Sequence, residues 1–260
     1  MQTPSRHILI TGASSGIGAA LAKAYAGPGI ALSLIGRDMA RLTAVAENCG
    51  AAGATVETQL LDVREGDALT AWISARDAEL PLDLVIANAG VTSGRQANGD
   101  LESWESVERV LAVNLTAAIR TAYAALEPMS RRGRGQIALV SSLQGVRAHP
   151  DAPAYSASKA GLAAFGQALR GAVAAKGVRI AVVYPGYVDT AMSRRVTGNK
   201  PHVMDADTAA RRICDGLAKG RAIIAFPWHL AWGLRFLTFL PVSWGNMILK
   251  RFSFSVEAGR

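Results

Sequence analysis

The sequence predicts an α/β fold in which helices cover both faces of a doubly wound, parallel, seven-stranded sheet. Short apolar runs rich in Val, Ile and Leu alternate with longer helical patterns, and runs without polar alternation are typical of parallel strands buried on both faces. The chain has 260 residues and is 50% hydrophobic, which suits one large α/β domain and excludes a disordered chain. Because no repeat or low-complexity linker divides it, we expect a single domain over residues 1–260.

Each predicted strand is short and apolar. We place the seven strands at His7–Thr11, Ile30–Ile35, Thr55–Leu61, Leu82–Ala87, Gln136–Val140, Val178–Tyr184 and Ala222–Phe226. We place the helices between them at Gly16–Ala26, Met39–Cys49, Gly66–Ala78, about Leu101 to Arg132, Tyr155–Lys176 and Asp205–Lys219. This alternation, with right-handed crossovers, predicts a Rossmann-like sheet.

A glycine-rich turn, TGASSGIG at residues 11–18, joins the first strand to the first helix. Gly12 permits a tight turn, Gly16 lets the backbone approach a pyrophosphate, and Gly18 lets helix and strand pack closely. The helix N-terminus offers free N–H groups and a positive dipole end to phosphates. The turn therefore predicts a dinucleotide site. The residues expected to bind the cofactor there are Gly12, Ser14, Ser15, Gly16, Ile17 and Gly18.

The end of the second strand bears on the choice between NADP and NAD. An acid there would bind the 2′-hydroxyl of the adenine ribose and favour NAD, but Gly36 takes that place and Arg37 follows it. A guanidinium can hold a 2′-phosphate through two parallel bonds, so we expect NADP(H), that is NADPH in reduction. The alternative, in which Arg37 is a solvated loop residue and Asp38 takes the hydroxyl, leaves NAD as the second choice.

Two further strand ends are expected to border the adenosine. Asp62, which Val63 follows, comes after the third strand and is placed to accept a hydrogen bond from the adenine amino group. The turn formed by Asn88, Ala89 and Gly90 closes the fourth strand and offers its backbone.

A tyrosine and a lysine four residues apart form a candidate catalytic pair. This spacing puts Tyr155 and Lys159 on one helix face. A nearby ammonium group lowers the tyrosine pKa from its ordinary value of about 10, so Tyr155 is predicted to exchange a proton with a carbonyl or alcohol oxygen. Ser142, after the fifth strand, is expected to reach the same oxygen. Asn114, at an unfavourable mid-helix position, is expected to hold a water near its carbonyl that passes protons to Lys159.

Taken together, these segments resemble the short-chain dehydrogenase/reductase family in its single-domain form. The matching segments are TGASSGIG, LDV at 61–63, NAG at 88–90, VNL around Asn114, SS at 141–142, YSASK at 155–159 and PGYVDT at 185–190. The resemblance covers about residues 7–226. Two departures are small: Ala87 stands where the family often has a second Asn, and Tyr187 stands where small residues are common.

The resemblance implies a set of roles for these residues. Asn114, Ser142, Tyr155 and Lys159 would be catalytic, and Tyr155 and Lys159 would also contact the cofactor, Lys159 at the nicotinamide ribose. In the segment that begins with Pro185 and Gly186, the Val188 backbone and the Thr190 hydroxyl would bind the carboxamide. The implied activity interconverts a carbonyl and a secondary alcohol with NADP(H), in a homodimer or homotetramer. A catalytically silent NADP(H)-sensing protein and an NAD-preferring dehydrogenase remain the alternatives.

Composition excludes several other classes of protein. The cysteines Cys49 and Cys214 are too few for a disulfide scaffold or a structural zinc site, and the four His residues show no metal-ligand spacing. The net charge of +8 is dispersed rather than interleaved with aromatics, so no nucleic-acid partner is expected. The first residues lack the apolar region of a signal peptide, which predicts a cytoplasmic location.

The C-terminal region departs from this pattern. Residues 187–202, with Met192, Arg194, Arg195 and Val196, are predicted to form a lid over an apolar or lipid-like substrate with an acidic or polar end. Residues 228–260 are predicted to form a helical extension, with helices at Trp228–Leu240 and Ser243–Phe252, and eight of the 16 aromatics lie in the last 40 residues. Three interpretations stay open for this extension: packing against the core or a partner subunit, contact with a membrane interface through residues 228–252, and the wall of a lipid pocket.

Overall fold

The computed structural model of the chain describes residues 6–257. Its strands are β1 (His7–Thr11), β2 (Ala31–Gly36), β3 (Thr55–Leu60), β4 (Leu84–Ala87), β5 (Gly135–Val140), β6 (Val178–Pro185), β7 (Val196–Gly198), β8 (Ile223–Phe226) and β9 (Phe254–Val256). Its helices are α1 (Gly16–Tyr25), α2 (Met39–Ala51), α3 (Gly66–Glu79), α4 (Trp104–Leu111), α5 (Ala118–Arg131), α6 (Pro153–Ala172), α7 (Ala191–Arg194), α8 (Ala206–Ala218), α9 (Trp228–Leu237) and α10 (Val242–Lys250).

Seven of the strands form one parallel sheet, in the order β3-β2-β1-β4-β5-β6-β8. The predicted fold class, a doubly wound seven-stranded α/β sheet with helices on both faces, is confirmed. The order changes direction between β1 and β4, and in open α/β sheets the crevice at such a point, outside the carboxyl ends of the strands, is where ligands bind.

Both faces of the sheet are buried, which explains why its strands lack polar alternation. Ile8 and Ile10 pack on one face with Leu21 of α1, and Leu9 packs on the other with Leu69 of α3. All five side chains are fully buried. Because neighbouring strand residues point to opposite faces, burial on both sides requires an apolar residue at nearly every position.

The long helix predicted from Leu101 to Arg132 is interrupted. It begins at Trp104 and divides into α4 and α5 around a π-helical segment, Ala112–Ala117, that contains Asn114. Single π-helical turns occur frequently at functional sites. The helical periodicity was sufficient to predict a helix here but not this widened turn, because the turn depends on tertiary contacts of Asn114.

The C-terminal extension is helical only in part. The two predicted helices are present as α9 and α10, with α9 ending at Leu237, but residues 254–256 form β9 and not a helix. β9 pairs antiparallel with β7, inside the predicted lid. Tertiary contacts decide this conformation, since the Phe254 N–H donates to Asp151 Oδ2 (3.1 Å) and the Phe254 ring packs on His149. Residues 1–5 of the predicted domain and 258–260 of the predicted extension lie outside the described residues.

Candidate active site

One cavity of about 780 Å³ opens at the carboxyl ends of the strands and brings most of the predicted site residues together. All cofactor candidates except Gly18 line this cavity, as do Ser142, Tyr155 and Lys159. Asn114 lies behind the wall and is fully buried. The cavity therefore joins the glycine-rich turn to the candidate catalytic pair.

The glycine-rich turn at the edge of the cavity depends on close packing of its backbone. Gly12 has a φ of 68°, in the left-handed region that favours glycine. A Cβ atom at Gly18 would lie 2.2 Å from the Gly12 carbonyl oxygen, so only glycine lets α1 pack this closely on the turn. The Asn88 Nδ2 group fixes the turn by donating to the carbonyl oxygens of Thr11 (3.0 Å) and Gly12 (3.3 Å).

The same turn fits an anionic ligand such as a pyrophosphate. Ser15 holds the N-cap position of α1, but its hydroxyl makes no capping hydrogen bond, and the first turn of α1 contains no acid. The free first-turn N–H groups and the positive end of the helix dipole therefore face the cavity without a carboxylate that would repel phosphate.

The end of β2 places one arginine at the rim of this cleft. Arg37 is about half exposed and lies 3.5 Å from Asp62, while Arg64 makes a shorter ion pair (2.8 Å) with the same carboxylate. The pKa of Asp62 is held below its ordinary value, mainly by hydrogen bonding from Arg64, although burial opposes this shift. The charges of Arg64 and Arg37 add smaller contributions in the same direction. Asp38 caps α2 by accepting from the Arg41 N–H (3.0 Å) at one oxygen and pairs with the Arg41 side chain (3.2 Å) at the other, so both of its carboxylate oxygens already have a partner.

The segment after β6 brings backbone groups to the opposite side of the cleft. Val188 forms an isolated bridge with Met204, and the two bonds of this bridge use the Tyr187 carbonyl and the Asp189 N–H. The amide of Val188 itself stays outside those bonds. The Thr190 side chain caps α7 and lies against Gly16, since a Cβ at Gly16 would be 3.0 Å from Thr190 Cγ2. The two ends of the predicted cofactor site are thus in contact.

Tyr155 and Lys159 face the cavity from α6 as the spacing predicts, but their environment differs from the expected one. Burial raises the pKa of Tyr155, and a hydrogen bond with Ser142 opposes that shift. The Lys159 Nζ atom lies 5.8 Å from the centroid of the Tyr155 ring and donates to the Val140 carbonyl (2.8 Å). Burial lowers the pKa of Lys159 to about 8. The ammonium group is therefore anchored by the end of β5 and loses its proton more easily than an exposed lysine.

Asn114 holds two parts of the site in register. Its Oδ1 atom accepts from the Val91 N–H (2.8 Å), and its Nδ2 group donates to the Val91 carbonyl (2.9 Å) and the Ser158 hydroxyl (3.2 Å). Ser158 in turn donates to the Tyr155 carbonyl (2.7 Å). The asparagine side chain thus ties the loop after β4 to the helix that carries the candidate catalytic pair.

Sequence reasoning missed much of the wall beyond Tyr155. The loop between Ser142 and Tyr155 contributes Leu143, Gln144, Arg147 and His149 to the cavity. The C-terminal helices and their connections add His229, Leu230, Gly233, Leu234, Phe236, Leu237, Leu240, Ile248, Leu249 and Phe252. The spacing of Leu230, Leu234 and Leu237 is that of one helix face and was available in the sequence, although it could not show which surface this face would meet.

The predicted lid reaches the cavity with its apolar residues and not with its arginines. Met192 and Val196 line the cavity. Arg194 forms an ion pair with Asp189 (2.9 Å), and Arg195 donates to the Glu257 carbonyl (2.7 Å). An acidic substrate group would therefore have to pair with a cation from another part of the wall.

The outward faces of α9 and α10 are unusually apolar. No residue of α9 is fully buried, and Trp232 on this helix is 67% exposed. Phe239, in the connection between α9 and α10, is 80% exposed. Among residues 6–257, no helix combines the length and apolar character needed to cross a bilayer.

Comparisons with known proteins agree on one family. A short chain dehydrogenase family model matches residues 6–201. An uncharacterised oxidoreductase of Myxococcus xanthus is 40% identical over 237 residues, covering 91% of this chain and 93% of that protein. A 3-dehydrosphinganine reductase of Arabidopsis thaliana is 34% identical over 230 residues, covering 83% of this chain and 68% of that protein. The solved structure of a short-chain dehydrogenase from Sphingobium yanoikuyae in complex with NADPH matches with a TM-score of 0.77 and 28% identity. The match covers 92% of this chain and 97% of that one.

Proposed function

Because this chain belongs to the short-chain dehydrogenase family, we propose that it is an NADP(H)-dependent oxidoreductase that interconverts a carbonyl and a secondary alcohol. The observation that carries this proposal is the single cavity shared by the glycine-rich turn and by Ser142, Tyr155 and Lys159. A silent nucleotide sensor would need the turn alone, and it would have no use for a phenol and a lysine on the same wall.

Each catalytic residue has a role that follows from its contacts. The Ser142 hydroxyl, which opposes the rise in the pKa of Tyr155, orients the substrate oxygen beside the phenol. Tyr155 gives its proton to the oxygen in reduction and takes it back in oxidation. The charge of Lys159, 5.8 Å from the ring, favours the phenolate that remains. Asn114 keeps α6 in position through Ser158 and supports the return of a proton to Lys159.

The cofactor would occupy the cleft between the turn and the segment after β6. Residues 12–18 would hold the pyrophosphate, Asp62 and Val63 with Asn88, Ala89 and Gly90 would border the adenosine, and Pro185, Gly186, Val188 and Thr190 would border the nicotinamide, which supplies or accepts the hydride when bound. Arg37 would pair with a 2′-phosphate, since Asp38 is committed to capping α2. The NADPH in the Sphingobium structure supports a nicotinamide cofactor in this cleft.

The substrate half of the cavity favours an apolar or lipid-like molecule. Leu143, Leu230 and Leu234 belong to one hydrophobic cluster that borders it. The 3-dehydrosphinganine reductase among the relatives supports a lipid-like ketone.

To test the activity, the purified protein would be mixed with methyl ketones of increasing chain length and with either NADPH or NADH. We expect the rate of cofactor oxidation to increase with the chain length of the ketone and to be higher with NADPH than with NADH. Binding of NADPH without turnover of any ketone would support the silent sensor, and faster turnover with NADH would support the alternative cofactor.

We also propose that α9 and α10 contact an anionic membrane surface. Residues 226–256 contain Arg235, Lys250 and Arg251 but no Asp or Glu. Exposed Trp and Phe side chains beside basic residues are typical of helices that lie in the plane of a bilayer interface. Phe236, Ile248 and Phe252 are both exposed and part of the cavity wall, so the apolar surface continues into the cavity. A lipid-like substrate could then enter directly from the bilayer.

Sedimentation with phospholipid vesicles tests this surface. The full chain is expected to bind vesicles that contain anionic lipid, and to lose binding when Trp232→Ser and Phe239→Ser are combined, because neither residue lines the cavity. Met39→Ser, which removes a half-exposed apolar side chain from α2, is the matched control and should bind normally. Equal binding by all three proteins would contradict the proposal, and so would a stable dimer that the double variant dissociates.

We further propose that the protein is a homodimer or homotetramer assembled through the helices around Asn114 and Tyr155. Trp104 of α4 is 71% exposed, and the exposed ring of Tyr123 on α5 packs 5.9 Å from Phe165 on α6. Light scattering of the wild type and of Trp104→Ser would show a loss of mass in the variant, whereas a monomeric wild type would contradict this assembly.

A further inference from the structure

We propose that Arg147 forms an anion-binding subsite in the substrate half of the cavity, so that the substrate is an amphiphile with an apolar chain and an anionic group. The reaction of such a substrate rests on the proposed function above, but its binding does not. The inference goes beyond the catalytic residues because Arg147 belongs to none of the family segments and to no predicted role.

Arg147 lies between the catalytic residues and the C-terminal helices. It follows Ser142 by five residues, after a short helical turn at Leu143–Gly145, and lines the cavity. Its Nη2 atom lies 3.5 Å from Asn246 Oδ1 on α10. A Cβ atom at Gly245 would come within 2.5 Å of the same nitrogen. Glycine at this position therefore lets α10 lie directly on the guanidinium group, which is held under the helix.

The guanidinium group has no carboxylate partner within 4.0 Å among residues 6–257, whereas other arginines near this region do. Arg95 pairs with Asp151 and Arg194 pairs with Asp189, each at 2.9 Å. The Nε atom of Arg147 is buried and has no hydrogen-bond partner in the described part of the chain. Burying part of a cation without a counter-ion is unfavourable, so an arginine in this state is poised to gain from an anion.

The charge pattern of the cavity locates the anion on the substrate side. Asp62 is the one carboxylate residue among those described that line the cavity, and it lies at the cofactor end, paired with Arg64 and Arg37. The substrate half of the cavity, which Arg147 shares with α9 and α10, is instead lined largely by apolar side chains such as Leu230, Leu234 and Ile248. A cation without a carboxylate partner, beside apolar side chains, matches an alkyl chain that ends in a carboxylate or a phosphate.

Three ligands of equal chain length test the subsite without requiring turnover. Binding of decanoate, decyl phosphate and decanol to the NADPH-loaded protein would be measured by calorimetry at low salt. We expect at least one of the two anions to bind more tightly than the alcohol. In Arg147→Gln we expect this preference to fall by about 10- to 100-fold, because a hydrogen bond to a charged group is lost, while the affinity for decanol is retained.

Two further variants control for indirect effects. Arg147→Lys should restore part of the preference because it keeps the charge, and Arg194→Gln should not alter it because Arg194 pairs with Asp189 outside the cavity. The ratio of the two anions in the wild type identifies the headgroup as carboxylate or phosphate. Equal affinity of the wild type for all three ligands, or an unchanged preference in Arg147→Gln, would overturn the proposal. Absence of ketone turnover with an intact anion preference would contradict the proposed activity alone.

Discussion

The two halves of the cavity are built from different parts of the protein. The cofactor half depends on closely packed backbone at the glycines of the turn, at the start of α1 and at the ends of β4 and β6. The substrate half is formed by side chains from the loop after Ser142, from the predicted lid, and from α9, α10 and their connections. Where backbone segments pack closely, few residue types can be substituted without a clash. Where apolar side chains form the surface, many substitutions are tolerated. We therefore expect the first half to be intolerant of small changes and the second to determine which substrate fits.

The largest expected effect comes from the same substitution made once in each half. Gly18→Ala places a methyl group 2.2 Å from the Gly12 carbonyl oxygen, so the turn must distort. We expect a loss of unfolding free energy of about 2 kcal/mol or more and a severe loss of NADPH affinity. Gly233→Ala, on α9, meets no atom within 4 Å and should stabilise the helix by roughly 0.5–1 kcal/mol with NADPH affinity unchanged. Thermal unfolding with and without NADPH measures the stability and the NADPH affinity of each variant. Equal effects of the two substitutions would contradict the expected difference in tolerance between the two halves.

A smaller effect is expected at the rim of the cofactor half, where a side chain rather than the backbone makes the contact. Arg37→Asp replaces the group expected to pair with a 2′-phosphate by one that repels it. We expect the ratio of NADPH to NADH affinity to fall by about 10- to 100-fold, the value of one charge-assisted contact, with the fold unchanged. Titration of both nucleotides by fluorescence tests this. An unchanged ratio would show that Arg37 does not discriminate between them.

The smallest effect concerns Lys159, at the junction of the two halves. The pKa of this buried lysine is lowered from 10.5 to about 8. Between these values the unfolded chain binds the extra proton and the folded protein does not, so wild-type stability rises with pH across this interval. Lys159→Met lacks this contribution. The melting temperature of the variant minus that of the wild type should therefore be more positive near neutral pH than above pH 10, by a few degrees. An unchanged difference across the interval would contradict a buried, destabilised ammonium group.

The sequence was sufficient for the fold and for most of the residues that line the proposed cofactor half. Continuous apolar strands predicted the sheet, and the spacing of Gly12, Gly16 and Gly18 marked the turn, because in both cases local conformation depends on residue type. The sequence was insufficient where long-range contacts determine the local conformation of the chain. The π-helical turn at Asn114 depends on Val91 and Ser158, and β9 depends on Asp151 and His149.

The substrate half was the least predictable part for the same reason. The aromatic and basic composition of the C-terminal segment was evident, yet composition alone left three interpretations open. The structure places one face of α9 against the cavity and leaves the other exposed, and contact of that exposed face with a membrane remains our proposal. Arg147 had no motif to mark it, and only its position under α10 distinguishes it from a surface arginine.

The most direct test of the proposed chemistry is the activity of Tyr155→Phe, which removes one hydroxyl group at the junction of the two halves. Single-turnover reduction of methyl octyl ketone by NADPH would be followed together with NADPH binding by the same protein. We predict that the rate falls by about 100- to 10,000-fold, the usual contribution of a general acid, while NADPH binding remains measurable. A variant that keeps the wild-type rate would contradict the assignment of Tyr155 as the proton donor.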